Sequence, residues 1–119
     1  MTTGESGDSA ALLQVFADEY SRQILLAADE QPRTAKGLSQ VCDASLTTVY
    51  RRLSTLQERG LVTVHSTVGP GGEHKQLFET SVEALHVRIA DGDLELSVEG
   101  RDELADNFRS LWANFRENV

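Results

Sequence analysis

Between Ser45 and Ser54 the chain places Ser45, Leu46, Thr47, Tyr50, Arg51 and Ser54 among the apolar residues Val49, Leu53 and Leu56. At helical spacing the apolar trio forms one seam, and Leu46, Thr47, Tyr50, Arg51 and Ser54 point away from it. Hydroxyls, a phenol and a guanidinium on one narrow helix are groups that hydrogen-bond base edges and phosphates in a major groove. A merely solvated helix face is the plainer account of the same pattern.

Such a face needs a frame. Ser45 is placed to cap the helix that carries it, and Gly60 to end it in a left-handed residue. Before it, Leu38 and Val41 mark a shorter helix, interrupted at Asp43 and Ala44, so that Leu38 to Val62 reads as helix, turn, helix and strand. Thr34 caps the shorter helix, which runs to about Cys42 with Leu38 and Val41 as its core contacts. Upstream, Ser9 is expected to cap a single long helix from about Ala10 to Ala28, striped by Leu13, Phe16, Tyr20, Ile24 and Ala27 and widened by Leu12 and Leu25. Pro32 separates it from the next helix.

Downstream the period changes to two. Leu61 to Val68 and Gln76 to Thr80 flank Gly69-Pro70-Gly71-Gly72, a hairpin whose return side carries His74 and Lys75. A second hairpin sets Leu85, Val87 and Ile89 against Leu94, Leu96 and Val98 across the turn Asp91-Gly92. Its apolar face needs a cover. The expected cover is a last helix, from about Arg101 to Glu117, striped by Leu104, Phe108, Leu111, Trp112 and Phe115. Residues 1–9, polar and acidic, are expected to form a disordered tail.

The formal net charge is −8, which opposes nucleic-acid binding until it is resolved along the chain. Residues 33–75 hold Arg33, Lys36, Arg51, Arg52, Arg59 and Lys75 against Asp43, Glu58 and Glu73, a local +3, whereas residues 1–32 carry −5 and residues 76–119 carry −6. Positive charge is confined to the helix-turn-helix and the hairpin after it. Acids are abundant and only two of the eleven basic residues are lysine, a balance that suggests a salt-adapted, halophile-like surface. The longest apolar run is Ile24 to Ala28 and residues 1–10 hold no hydrophobic signal core, so a soluble, cytoplasmic protein without a membrane span is expected.

Other chemistry is poorly supported. Cys42 is the one cysteine; a redox switch in the turn competes with a small apolar residue facing the first helix, and the latter is the simpler reading. His65, His74 and His86 are dispersed on strands rather than spaced as ligands. Asp91 and Asp93 flank a glycine as in calcium loops, but the rest of the ligand spacing is missing. Phosphate-cradling, nucleophile-elbow and HExxH motifs are absent from the sequence, so neither enzyme activity nor a cofactor or metal is expected.

The run Ser45-Leu46-Thr47-Thr48-Val49-Tyr50-Arg51-Arg52-Leu53, closed by Glu58-Arg59-Gly60-Leu61-Val62 and followed by the Gly69 to Gly72 hairpin, resembles the winged helix-turn-helix of ArsR-like and MarR-like bacterial and archaeal transcription regulators. The resemblance spans roughly residues 10–80. It implies an α+β fold of three helices plus a β-hairpin wing, here with an extra C-terminal β-hairpin and long C-terminal helix in residues 81–119. It also implies a homodimer that binds double-stranded DNA. Base contacts would fall on Ser45, Leu46, Thr47, Tyr50 and Arg51, with Arg52 and Lys75 nearer phosphates and Thr34, Thr48 and His74 beside them. Two copies would meet through Phe108, Leu111, Trp112 and Phe115, together with Leu12 or Phe16. Metal-sensing ArsR members place cysteines in pairs, which Cys42 lacks, and no effector follows from the sequence. Because fold does not dictate function, a protein-interaction module without DNA binding is the alternative.

Overall fold

The computed structural model describes residues 7–101. Four helices come first, α1 (Gly7–Ala17), α2 (Glu19–Glu30), α3 (Ala35–Val41) and α4 (Leu46–Glu58). Two antiparallel hairpins follow, β1 (Val62–Val68) with β2 (His74–Thr80), and β3 (Val82–Ala90) with β4 (Asp93–Gly100).

The single helix expected over residues 10–28 is two helices, so the described residues hold four helices where three were expected. The break is at Asp18, whose backbone is extended (φ −81°, ψ 123°) and whose carboxylate accepts the Ser21 N–H at 2.8 Å, capping α2. Restarting the helix re-phases the stripe: Leu12, Val15, Ile24, Leu25, Ala27 and Ala28 are buried, while Leu13 and Tyr20 stay over a third exposed. Ser9 lies buried inside α1 rather than before its first turn, and residues 7–9, expected in the tail, are helical. The rest of that tail lies outside the described residues.

The helix-turn-helix follows its local signals closely. Thr34 caps α3 by accepting the Gly37 N–H at 3.0 Å. The turn closes through Ala44 N–H to Ser39 carbonyl at 3.1 Å, with Asp43 at φ 51°. Ser45 accepts the Thr48 N–H at 3.1 Å to start α4. At the far end Gly60 takes φ 73°, the Gly60 N–H reaches the Gln57 carbonyl and the Leu61 N–H the Leu56 carbonyl, a Schellman closure whose apolar pair, Leu56 and Leu61, is fully buried. Val41 does not join the core. It is 54% exposed, because α3 is only seven residues long and Cys42, beyond its last turn, takes the inward position beside α2.

Ile24, Leu38, Val49, Leu53, Leu56 and Leu61 form the centre of the core, each at most 1% exposed. Leu53→Ala should therefore cost about 2–5 kcal/mol, the loss of a fully buried leucine plus the cavity it leaves. Leu26→Ala, at a site 69% exposed, should stay within about 0.5 kcal/mol. Urea unfolding of both variants checks the contrast.

The first hairpin is moored twice. Phe78 and Arg33 exchange backbone hydrogen bonds (3.0 and 2.7 Å), and the Thr80 hydroxyl donates to the buried Leu25 carbonyl at 2.6 Å. Its return strand starts at His74, two residues before the expected Gln76, because the Gly69 N–H to Glu73 carbonyl bond (2.7 Å) closes the tip so tightly that pairing begins at Val68 opposite His74. In the second hairpin Asp91 and Gly92 both have positive φ (54° and 79°), the two-residue turn that matches strand twist. Its apolar pairs are Leu85–Val98, Val87–Leu96 and Ile89–Leu94. The pair nearest the base packs against the core, but Val87 is 53% and Ile89 78% exposed. The helix expected to cover them, with Leu104, Phe108, Leu111, Trp112 and Phe115, lies outside the described residues.

Candidate nucleic-acid interface

Helix α4 buries Val49, Leu53 and Leu56, and this fixes what its other side shows. Leu46, Thr47, Tyr50, Arg51 and Ser54 are all exposed, Leu46 at 43% and Tyr50 at 52%. Among the described residues, the side chains of Thr47, Tyr50, Arg51 and Ser54 have no hydrogen-bond or ion-pair partner. Unspent donors on a protruding helix are what groove readout requires.

Three of the expected contacts are otherwise engaged. The Ser45 hydroxyl caps α4 and donates its proton to the Thr48 hydroxyl at 2.9 Å. Thr34, half-buried, is spent on capping α3. Thr34 and Thr48 only accept in these bonds and each keeps a hydroxyl proton to donate to a phosphate, whereas Ser45 has spent its proton on Thr48.

Arg52 departs furthest from expectation. Its guanidinium turns inward: Nε and Nη2 donate to the Asp18 carboxylate at 2.7 and 3.2 Å, and its carbon centre lies 5.9 Å from the middle of the Tyr20 ring. The pairing holds the Asp18 carboxyl below the usual carboxylate range, with burial opposing it and the Ser21 bonds assisting. A depressed carboxylate pKa adds stability above the unfolded-state value, and that contribution disappears as pH falls through the lower folded-state value.

Beside α4 a groove of about 690 Å³ runs between α3 and β2, lined by Thr34, Ala35, Lys36, Tyr50, His74, Lys75, Gln76 and Phe78. It joins Thr34, Tyr50, His74 and Lys75, which the sequence singles out separately. It also adds Lys36 and Gln76, which were not singled out. Lys36 was legible in principle: it is one of two lysines and stands two residues after the Thr34 cap. Lys75 lies 3.8 Å from Glu73, both about half exposed, a surface pair of little strength. With Arg51 on the adjoining face of α4, the groove has two lysines, a histidine and a phenol, the makings of a seat for a phosphodiester strand.

The histidines do not gather. His65 pairs with Glu79 across the first hairpin at 2.9 Å, His86 lies 3.9 Å from Glu99 on the second, and His74 belongs to the groove. Among the described residues no three His, Cys, Asp or Glu side chains stand together as metal ligands. Cys42 is buried, and burial pushes its thiol pKa up, away from the reactive thiolate, though Arg33 pulls the other way. No helix among the described residues is long and apolar enough to cross a membrane.

Comparison with known proteins places this geometry. Residues 16–65 match a family model described as a helix-turn-helix domain. The crystal structure of NolR from Sinorhizobium fredii is similar in fold, with a TM-score of 0.50 and 18% sequence identity over 61% of this chain and 68% of that one. No curated protein matches the chain. The matched segment runs from Phe16 through α4, which carries Thr47, Tyr50 and Arg51, into the start of β1.

Proposed function

We propose that the chain is a transcription regulator of the ArsR-like and MarR-like kind, binding specific double-stranded DNA in the cytoplasm as a homodimer. Helix α4 reads the major groove and the β1–β2 hairpin follows the backbone. The observation that carries this reading is the α4 face: Thr47, Tyr50, Arg51 and Ser54 exposed and unspent on the one stretch of an acidic chain with net positive charge. Phe108, Leu111, Trp112 and Phe115, with the half-buried Phe16, supply the contact between copies. Leu12 is withdrawn from that set because it is buried in its own core.

The reading implies a shallow salt dependence. With Arg52 turned inward, Arg51, Lys36 and Lys75 are the cations beside the groove and the α4 face. With Arg51 on a base edge, Lys36 and Lys75 neutralise two phosphates per protomer and four per dimer, a slope of log affinity on log salt of roughly −4, against −5 to −9 for a six- to ten-contact interface. Low sensitivity also suits a salt-adapted protein, since the Debye length is roughly 3 Å at molar salt.

A mobility-shift titration on genomic DNA fragments over a range of salt concentrations tests the proposal. Retarded fragments that share a sequence support it. The formal charge of −8 favours the second reading, a winged-helix module that docks on another protein; absence of any shift at low salt selects it. Lys36→Ala and Lys75→Ala should each weaken binding alike on specific and unrelated duplexes, and each, removing one contact per protomer, should flatten the slope of the dimer by about 1.8. Undiminished affinity in Lys75→Ala removes the wing from the interface.

A further inference from the structure

Asp18 is the point where three helices meet. Its backbone N–H ends α1 on the Gln14 and Val15 carbonyls (3.1 and 3.2 Å), its carbonyl accepts the first turn of α2 from Arg22 N–H (3.1 Å), and its carboxylate caps α2 at Ser21. The same carboxylate takes the forked guanidinium of Arg52, 34 residues away on α4, with both oxygens engaged. The central carbon of that guanidinium lies 5.9 Å from the middle of the Tyr20 ring on α2. Capping alone needs one oxygen and no cation, and a phosphate contact needs the guanidinium fork free. Neither role explains the arrangement.

The apolar seam of α4 leaves one degree of freedom loosely set. Burial of Val49, Leu53 and Leu56 fixes which side of the helix is inward, but apolar contact is non-directional and tolerates small rotations about the axis. A two-point ion pair is directional. Arg52 precedes Leu53 and follows Arg51, so anchoring its fork to the start of α2 fixes the roll of the turn from which Tyr50 and Arg51 project. Groups that read a groove must be held within about 0.5 Å of their working position.

We propose that the Asp18–Arg52 pair is the clamp that sets the roll of α4 on the α1–α2 joint, which makes Arg52 and Asp18 positioning residues for DNA recognition. This rests on the DNA-binding reading above. Charge and position then act in opposite directions. Asp18→Asn keeps a capping side chain and removes one negative charge, which by electrostatics alone tightens binding to any duplex; loss of the clamp instead weakens binding to the specific duplex.

Asp18→Asn, Arg52→Gln, Arg52→Lys and the Asp18→Asn/Arg52→Gln double variant are titrated against a duplex selected by the wild-type protein from genomic fragments and against an unrelated duplex of equal length. Thermal melting by circular dichroism first confirms that each variant is folded at the assay temperature. Each single variant is expected to lose on the order of tenfold on the selected duplex and to keep the wild-type salt slope; on the unrelated duplex the Arg52 variants are expected to hold their affinity and Asp18→Asn to hold or gain. The double variant is expected to be no worse than the worse single one. The proposal is overturned if Arg52→Gln weakens both duplexes equally and flattens the slope of the dimer by about 1.8, which marks a phosphate contact on each protomer, or if Asp18→Asn or Arg52→Lys binds the selected duplex as well as wild type. A wild-type protein that selects no duplex removes the DNA-binding reading and the clamp with it, and so is distinct from variants that leave wild-type selection intact.

Discussion

Arg51→Ala should reduce affinity for a specific site by about 1–3 kcal/mol, roughly five- to 150-fold, while binding to unrelated DNA changes far less. Three observations single out this residue among the basic ones. Arg52 is committed to Asp18, and Arg33 is committed to the Ala27 carbonyl and Glu30. Lys36 and Lys75 belong to the groove beside the recognition face. Arg51 has no partner among the described residues and projects from the outer side of α4, between Thr47 and Ser54. A planar fork of donors there suits the O6 and N7 acceptors of guanine. The measurement is a pair of titrations, on the selected site and on the same site with one guanine changed at a time. Specificity relaxed at a single base pair is the expected result; equal losses on all duplexes demote Arg51 to a phosphate contact.

The contrast between Arg51 and Arg52 shows where the amino-acid sequence is readable. Whatever depends on neighbours within a turn or two is plain in it: the Ser45 cap, the seam Val49-Leu53-Leu56, the left-handed Gly60 and the Asp91-Gly92 turn. Each is a local preference that tertiary packing leaves in place. The break at Asp18 was hidden because the apolar spacing of Phe16, Tyr20 and Ile24 runs straight across it. The available signal was weaker, an aspartate followed by a first-turn glutamate and the Ser21 N–H it caps. No local rule could turn Arg52 inward, since its partner is 34 residues distant. Val41 failed for a related reason: helical spacing put it with Leu38, but a helix that ends at Val41 hands the inner position to Cys42. The groove residues Lys36 and Gln76 share a surface only because the Arg33–Phe78 bridge lays β2 against the start of α3.

Trp112→Ala combined with Phe115→Ala should convert a dimer into monomers and cut affinity for a DNA with two half-sites much more than for a single half-site. If residues 101–117 form the helix that the sequence pattern predicts, then at 100° per residue Leu104, Phe108, Leu111, Trp112 and Phe115 would fall within about a third of its circumference and would serve one surface. Each large apolar side chain buried there would contribute roughly 1.5–3 kcal/mol, and the double substitution removes the largest, Trp112, and one of the two phenylalanines. An isologous contact between two such stripes, joined by Phe16, would set the α4 helices about one DNA turn apart, roughly 34–36 Å. The rival surface is the chain's own second hairpin, where Val87 and Ile89 stand exposed. Trp112 is the sole tryptophan, and its fluorescence separates the two. Pairing between copies makes its emission red-shift on dilution, in step with a halving of the mass seen by light scattering. Packing on the hairpin leaves emission unchanged by dilution but shifts it in Ile89→Lys. A wild-type monomer at micromolar concentration, or a double variant that stays dimeric with full affinity for paired half-sites, rules out the C-terminal stripe as the contact.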